Sequence, residues 1–95
     1  TTTVYARWLK SLRDDQALAR ILRRTRLLEE GHLGDVKYLR EGVSELRIHY
    51  GPGYRIYLAR RGAEIVILLA GGDKRSQQQD IAQAIALAKN TEDLP

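Results

Sequence analysis

The segment ELRIHYGPGYRIYL, Glu45 to Leu58, alternates apolar and polar side chains on both sides of a Gly-Pro-Gly turn. Successive side chains of a strand point to opposite faces, so this alternation predicts a hairpin with one apolar and one polar face. Folding it with Tyr50 opposite Tyr54 sets Ile48 against Ile56 and Leu46 against Leu58. The same register sets His49 against Arg55 and Arg47 against Tyr57 on the polar face. A sheet with one apolar face needs a layer to cover it, and that requirement governs the reading of the remaining chain.

The upstream sequence supplies the layer. Val4, Trp8, Leu9 and Leu12 recur at helical spacing, with Trp8 read as a core residue. Asp14 and Asp15 then interrupt the pattern and are N-cap residue types for a second helix. Its apolar stripe is Leu18, Ile21, Leu22, Thr25 and Leu28, and Gly31 is placed to cap its C-terminus. Arg20, Arg23 and Arg24, flanked by Arg26, fall on the opposite side and read as a solvated helix face.

Downstream, Tyr54 to Arg60 is followed across an Arg61-Gly62 turn by Glu64 to Ala70, which is apolar at nearly every position. Such a run predicts a central strand buried on both faces. Ser76 and Gln79 have the spacing of a capping box for a last helix containing Ile81, Ala84, Ile85 and Ala88. The tail NTEDLP is expected to fray. The expectation is therefore one α+β domain over residues 1–95, in the order helix, helix, three strands, helix. Its small antiparallel-dominated sheet is packed by an N-terminal helical hairpin, with a C-terminal helix added.

The composition narrows the chemistry. Cysteine is absent, which removes disulfides, thiol nucleophiles and thiolate metal sites, and fits a reducing cytoplasm. The two histidines, His32 and His49, lack metal-ligand spacing, so neither a metal nor a cofactor is predicted, and His32 reads as a solvated loop residue. No apolar run approaches the ~20 residues of a membrane span, and the first ten residues lack a secretory signal pattern. The net charge is +4, with twelve Arg against four Lys, which points to nucleic acid or to an acidic protein.

If the helices cover the apolar hairpin face, the Arg47–His49–Arg55–Tyr57 face looks outward. An imidazole beside a guanidinium prefers to stay neutral near pH 7, and a neutral imidazole can accept a proton. Acid-base groups and cations without a nucleophilic side chain suit a substrate that brings its own nucleophile, as RNA does with its 2′-hydroxyl. A plain nucleic-acid-binding face fits the same pattern. GGDKR, Gly71 to Arg75, joins a strand end to a helix start and puts Lys74 and Arg75 where anions are attracted. It is not a Walker loop, because GxxxxGK[ST] is missing.

Taken together, WLKSLRDDQALARI, GHLGDVKYLREGVSELRIHYGPGYRIYL and IVILLAGGDKRSQQQDI resemble the RelE/ParE toxin superfamily, and most closely its HigB-like addiction-module-killer branch. The resemblance runs from Val4 to about Ala88. It implies a RelE-like fold, usually with a strand ahead of the first helix; only Thr1 to Thr3 precede that helix here, so the strand is expected to be truncated or missing. It implies ribosome-dependent, metal-independent mRNA cleavage in the cytoplasm. The implied partners are the ribosome, mRNA and a HigA-like helix-turn-helix antitoxin through which operator DNA is reached.

Carried over by position, the resemblance assigns catalysis to Arg47, His49, Arg55 and Lys74, with Tyr57 a weaker candidate; Lys37, Tyr57 and Arg75 are the residues expected to bind RNA. The C-terminal catalytic His or Tyr of some branches has no counterpart, because Gln77, Gln78 and Gln79 fill that region. ParE-like gyrase poisoning and translation block without cleavage are the alternatives that the shared fold leaves open.

Overall fold

The computed structural model describes residues 1–61 and 65–91. Its elements are α1 (Thr3–Ser11), α2 (Asp15–Glu29), β1 (Val36–Arg40), β2 (Val43–Ile48), β3 (Tyr54–Arg61), β4 (Ile65–Asp73), a 3₁₀ turn (Lys74–Ser76) and α3 (Gln77–Thr91). The strands form one antiparallel sheet in the order β1-β2-β3-β4. The fold is α+β, as expected. The turn expected at Gly62 and the tail beyond Thr91 lie outside the described residues, while Asn90 and Thr91 themselves belong to α3.

The helices begin and end on the residues their backbones require. The Asp14 carboxylate accepts the N–H groups of Gln16 and Ala17 at 2.9 and 3.1 Å and so caps α2. At the other end Gly31 takes φ +95°, and the N–H of His32 closes on the Leu27 carbonyl at 2.8 Å, a left-handed cap that suits glycine. Thr2 caps α1 by accepting the Tyr5 N–H, and its own N–H donates to the Leu68 carbonyl of β4 at 3.0 Å. No strand precedes α1 among the described residues.

Tyr5, Ile21 and Leu28 pack with Leu46, Ile48, Ile56, Leu58 and Leu68, so α1 and α2 cover the apolar hairpin face as the alternation predicts. The inward stripe of α2 is Ala17, Ile21, Thr25 and Leu28, which turns Leu22 outward, contrary to expectation. Trp8 is a packing residue: a Cβ on Gly71 would stand 2.1 Å from its ring.

The other sheet face is not open. Val43, Tyr57, Ala59 and Leu69 lie under Ile81, Ala84, Ile85 and Ala88 of α3. The sheet therefore has helices on both sides, and the polar half of the hairpin alternation is partly interior. β4 is buried on both faces as read, yet it stands at the margin of the described sheet and not at its centre. Its continuous apolar character reports helices above and below, not strands to either side. It also runs on through Gly71, Gly72 and Asp73, and the capping box that follows is Asp73 with Ser76, not Ser76 with Gln79.

Two features of the sheet depart from the sequence reading. β1 was not expected; it joins β2 through Glu41 and Gly42, both at positive φ (51° and 81°), a tight two-residue hairpin turn. The β2–β3 register is also shifted by two residues, pairing Ile48 with Tyr54, Arg47 with Arg55 and Glu45 with Tyr57. The connecting loop therefore runs from His49 to Gly53. A shift of two keeps every side chain on its own face, but it takes His49 off the strand.

Candidate functional site

Asp35 stands just ahead of β1, where its carbonyl accepts the backbone N–H of Arg47 at 3.1 Å. Its carboxylate accepts from Arg47 Nη2 at 3.3 Å and is bonded to His49 Nε2 at 2.5 Å. The hydrogen bond from His49, then the positive charge of Arg47, holds the Asp35 carboxyl below the usual carboxylate range. The carboxylate is thus ionised and the imidazole N–H donates to it. His49 faces Asp35 and not Arg55, and its side chain is 71% exposed.

The residue after His49 leaves the sheet altogether. The Tyr50 hydroxyl donates to Asp14 at 3.0 Å, and the Arg20 guanidinium lies 4.6 Å from the centre of the Tyr50 ring. These contacts tie the His49–Gly53 loop to the first turns of α2. Between them opens a groove of about 440 Å³, walled by Arg20, Arg23, Arg24 and Leu27 of α2 and by Asp35, Arg47, His49 and Tyr50 on the sheet side.

Arg55 occupies a different environment. It is the strand partner of Arg47 but is only 7% exposed. Its Nε lies 3.7 Å from Glu45, and its Nη1 donates to the carbonyls of Gly53 and Tyr54 at 3.4 and 3.3 Å. Glu45 in turn accepts from Gln77 of α3 at 2.9 Å. The expectation that Arg55 looks outward is corrected here: a buried carboxylate and the start of α3 enclose it. Tyr57 is corrected likewise, since it is fully buried; burial first, then the charge of Glu45, pushes its phenol well above the ordinary value.

Lys74 and Arg75 are exposed along a second cleft, of about 830 Å³, formed by residues 73–79. The Lys74 stem lies over Gly53, where an added Cβ would come within 2.9 Å of it, so this cleft borders the same loop that Arg55 braces from below. Arg75 reaches back to Asp73 at 3.2 Å. Lys37 is exposed on β1 and does not line the groove. His32 is exposed, as expected. The structure thus joins Arg47 and His49 in one groove, sets Lys74 and Arg75 in the next cleft, and buries Arg55 between them. Among the described residues no three His, Cys, Asp or Glu side chains gather in a metal-binding arrangement.

Residues 7–92 match the family described as "Phage derived protein Gp49-like (DUF891)". The chain belongs to the Gp49-like family. This is a RelE-like toxin family of toxin–antitoxin systems, which implies an antitoxin partner in general terms. The chain is also 45% identical over 89 residues, 94% of its length and 90% of the relative's, to a Haemophilus influenzae Rd protein whose description reads "Uncharacterized protein". No solved structure matches it.

In this Gp49-like protein the sequence reading did not place Asp35, Tyr50 and the α2 arginines beside Arg47 and His49 in the groove. The spacing of Arg20, Arg23 and Arg24 on one helix side was visible, but the wall facing them depends on the β2–β3 register. Asp35 follows a glycine in a loop and carries no signal of its own. No described helix is long and apolar enough to cross a membrane.

Proposed function

We propose that this chain is the toxin of a HigB-like type II module and arrests translation by cutting mRNA on the ribosome without a metal. The observation that carries the reading is the Asp35–His49 pair beside Arg47 in an arginine-walled groove. With Nε2 held by Asp35, Nδ1 is the ring nitrogen left to take the 2′-hydroxyl proton. The 2′-oxygen then attacks the adjacent phosphorus, a cyclic phosphate forms, and the 5′-oxygen leaves with a proton from solvent. Arg47 steadies the charge developing on the phosphoryl oxygens. Proton transfer of this kind contributes about 10² to 10⁴ in rate, and one oriented donor on the oxyanion about 10² to 10³.

Arg55 acts in this scheme as a positioning residue, holding the Gly53 end of the loop through its hydrogen bonds. Lys74 and Arg75, with Lys37 on β1, contact phosphates of the bound strand. The chain works in the cytoplasm on ribosomes, and a HigA-like helix-turn-helix antitoxin masks its cationic surface and carries it to operator DNA. The test is single-turnover cleavage of mRNA on programmed ribosomes. His49→Ala is expected to melt like the wild type, because the side chain is exposed, and to cleave about 10² to 10⁴ times more slowly. A wild-type rate in that variant would remove His49 from the mechanism.

A further inference from the structure

The α2 wall of the groove has charge that the chemistry at His49 leaves unused. Arg20, Arg23, Arg24 and Arg47 line it against one carboxylate, Asp35, which Arg47 and His49 already engage. Arg20 is laid over the Tyr50 ring. Arg24 is folded onto Gly34, where a Cβ would stand 2.1 Å from its Nη2 and where φ is +62°. Its Nε and Nη2 are buried, yet neither has an acceptor among the described residues, and Arg47 Nε is in the same state. Buried guanidinium N–H groups without acceptors are costly, and a planar fork of this kind matches phosphate oxygens. A strand that presents one phosphate to Arg47 and His49 lies in a groove whose other wall is α2, so its neighbouring phosphates meet Arg23 and Arg24.

We propose that Arg23 and Arg24 form a second phosphate-binding site, holding the backbone of the single RNA strand beside the phosphate presented to Arg47 and His49. The assignment of RNA rests on the cleavage reading above; the arrangement of unpaired arginines does not. Arg26 is the internal control, because it is exposed on the same helix but lines the neighbouring groove, with Ala19, Leu22, Leu27 and Arg23, and not the groove of Arg47 and His49. Arg23 borders both grooves, and Arg24 lines the one with Arg47 and His49. Gly34→Ala acts through Arg24, by straining the backbone and evicting the guanidinium.

The experiment is fluorescence anisotropy of a labelled 2′-O-methyl RNA oligonucleotide, which cannot be cut by its own 2′-hydroxyl, titrated between about 50 and 200 mM salt. Arg23→Ala and Arg24→Ala are each expected to lower the slope of log affinity against log salt by about 0.7, the increment for one phosphate on a single strand. Arg26→Ala is expected to leave the slope unchanged. Should Arg24→Ala fail to melt cooperatively, the exposed Arg23 carries the comparison. Equal slopes in all three variants and the wild type, or an equal loss with Arg26→Ala, overturns the proposal. Slopes that fall as expected while programmed ribosomes yield no cut mRNA keep the phosphate site and remove the cleavage reading. Cut mRNA with every slope unchanged does the reverse.

Discussion

Asp35 holds the side chain of Arg47 and the ring of His49 on one carboxylate, so the position of the imidazole depends on a residue fourteen positions earlier in the chain. If Asp35 serves the reaction by orienting His49, its loss matters only while the imidazole is present. Asp35→Asn is expected to slow single-turnover cleavage by about 10-fold or more, short of the loss in His49→Ala. In the double variant most of the Asp35→Asn effect should vanish, because the two residues act as a unit. Fully additive losses would show that Asp35 works independently of the ring. The pairing was hidden at this scale because a two-residue register shift leaves the alternation of faces intact. The hairpin pattern gave the correct side for Leu46, Ile48, Ile56 and Leu58 under either register, and only neighbour identities distinguish the two. Gly51 and Gly53, both at positive φ, and Tyr50 drawn off to Asp14, make the longer loop the stable one.

Among the elements, α3 was legible as a helix but not as a cover. Ile81, Ala84, Ile85 and Ala88 face inward as their spacing predicts, yet the surface beneath them contains Glu45 and Arg55, whose burial becomes acceptable only because they neutralise each other. β1 stayed unread for a local reason: its hairpin turn uses Glu41 at φ 51°, where Asn or Asp before glycine is the recognisable signal. The 3₁₀ turn that leads into α3 is capped by Asp73, whose carboxylate accepts the Arg75 N–H at 2.8 Å. The hydrogen bond from the Arg75 side chain, followed by those from the backbone N–H groups of Arg75 and Ser76, holds the Asp73 carboxyl below its ordinary value. A carboxyl depressed in the folded state stabilises the fold above its unfolded pKa of about 3.9 and loses that contribution as pH falls through the folded value. Asp73→Ala is therefore expected to cost about 1 kcal/mol at pH 7 from the lost cap, measured by urea unfolding. The deficit should close at an acid pH beneath the folded value, where the wild-type carboxyl has lost the charge that makes the cap. A deficit of the same size at both pH values would mean that packing, and not the charged cap, is what the substitution removes.

For the molecule as a whole, the double-sided cover decides which cations are available to a substrate. Arg55 and Tyr57 are withdrawn under α3, while Arg47 and His49 remain accessible at the groove beside α2. The whole-chain pattern disclosed the RelE-like character of the chain, though not the Gp49-like family itself, and it disclosed the α+β fold because helix spacing and strand alternation are local signals. It could not show which cationic side chains share a groove, because that depends on register and on what covers each face. On the proposed cleavage reading, in which an imidazole and guanidinium groups are the working chemistry, the attacking oxygen is the RNA's own 2′-hydroxyl. The upstream fragment is then expected to end in a 2′,3′-cyclic phosphate or its hydrolysis product, read by end-group analysis of mRNA cut on ribosomes. A single 2′-deoxy substitution at the scissile nucleotide should abolish the cut without weakening binding, since the proposed groove contacts are to phosphates. A 3′-hydroxyl end, or cleavage that persists at the deoxy position, means that water attacks and that His49 is not removing a 2′ proton. Intact mRNA in cells that accumulate DNA breaks would instead move the same cationic groove to a ParE-like role against gyrase.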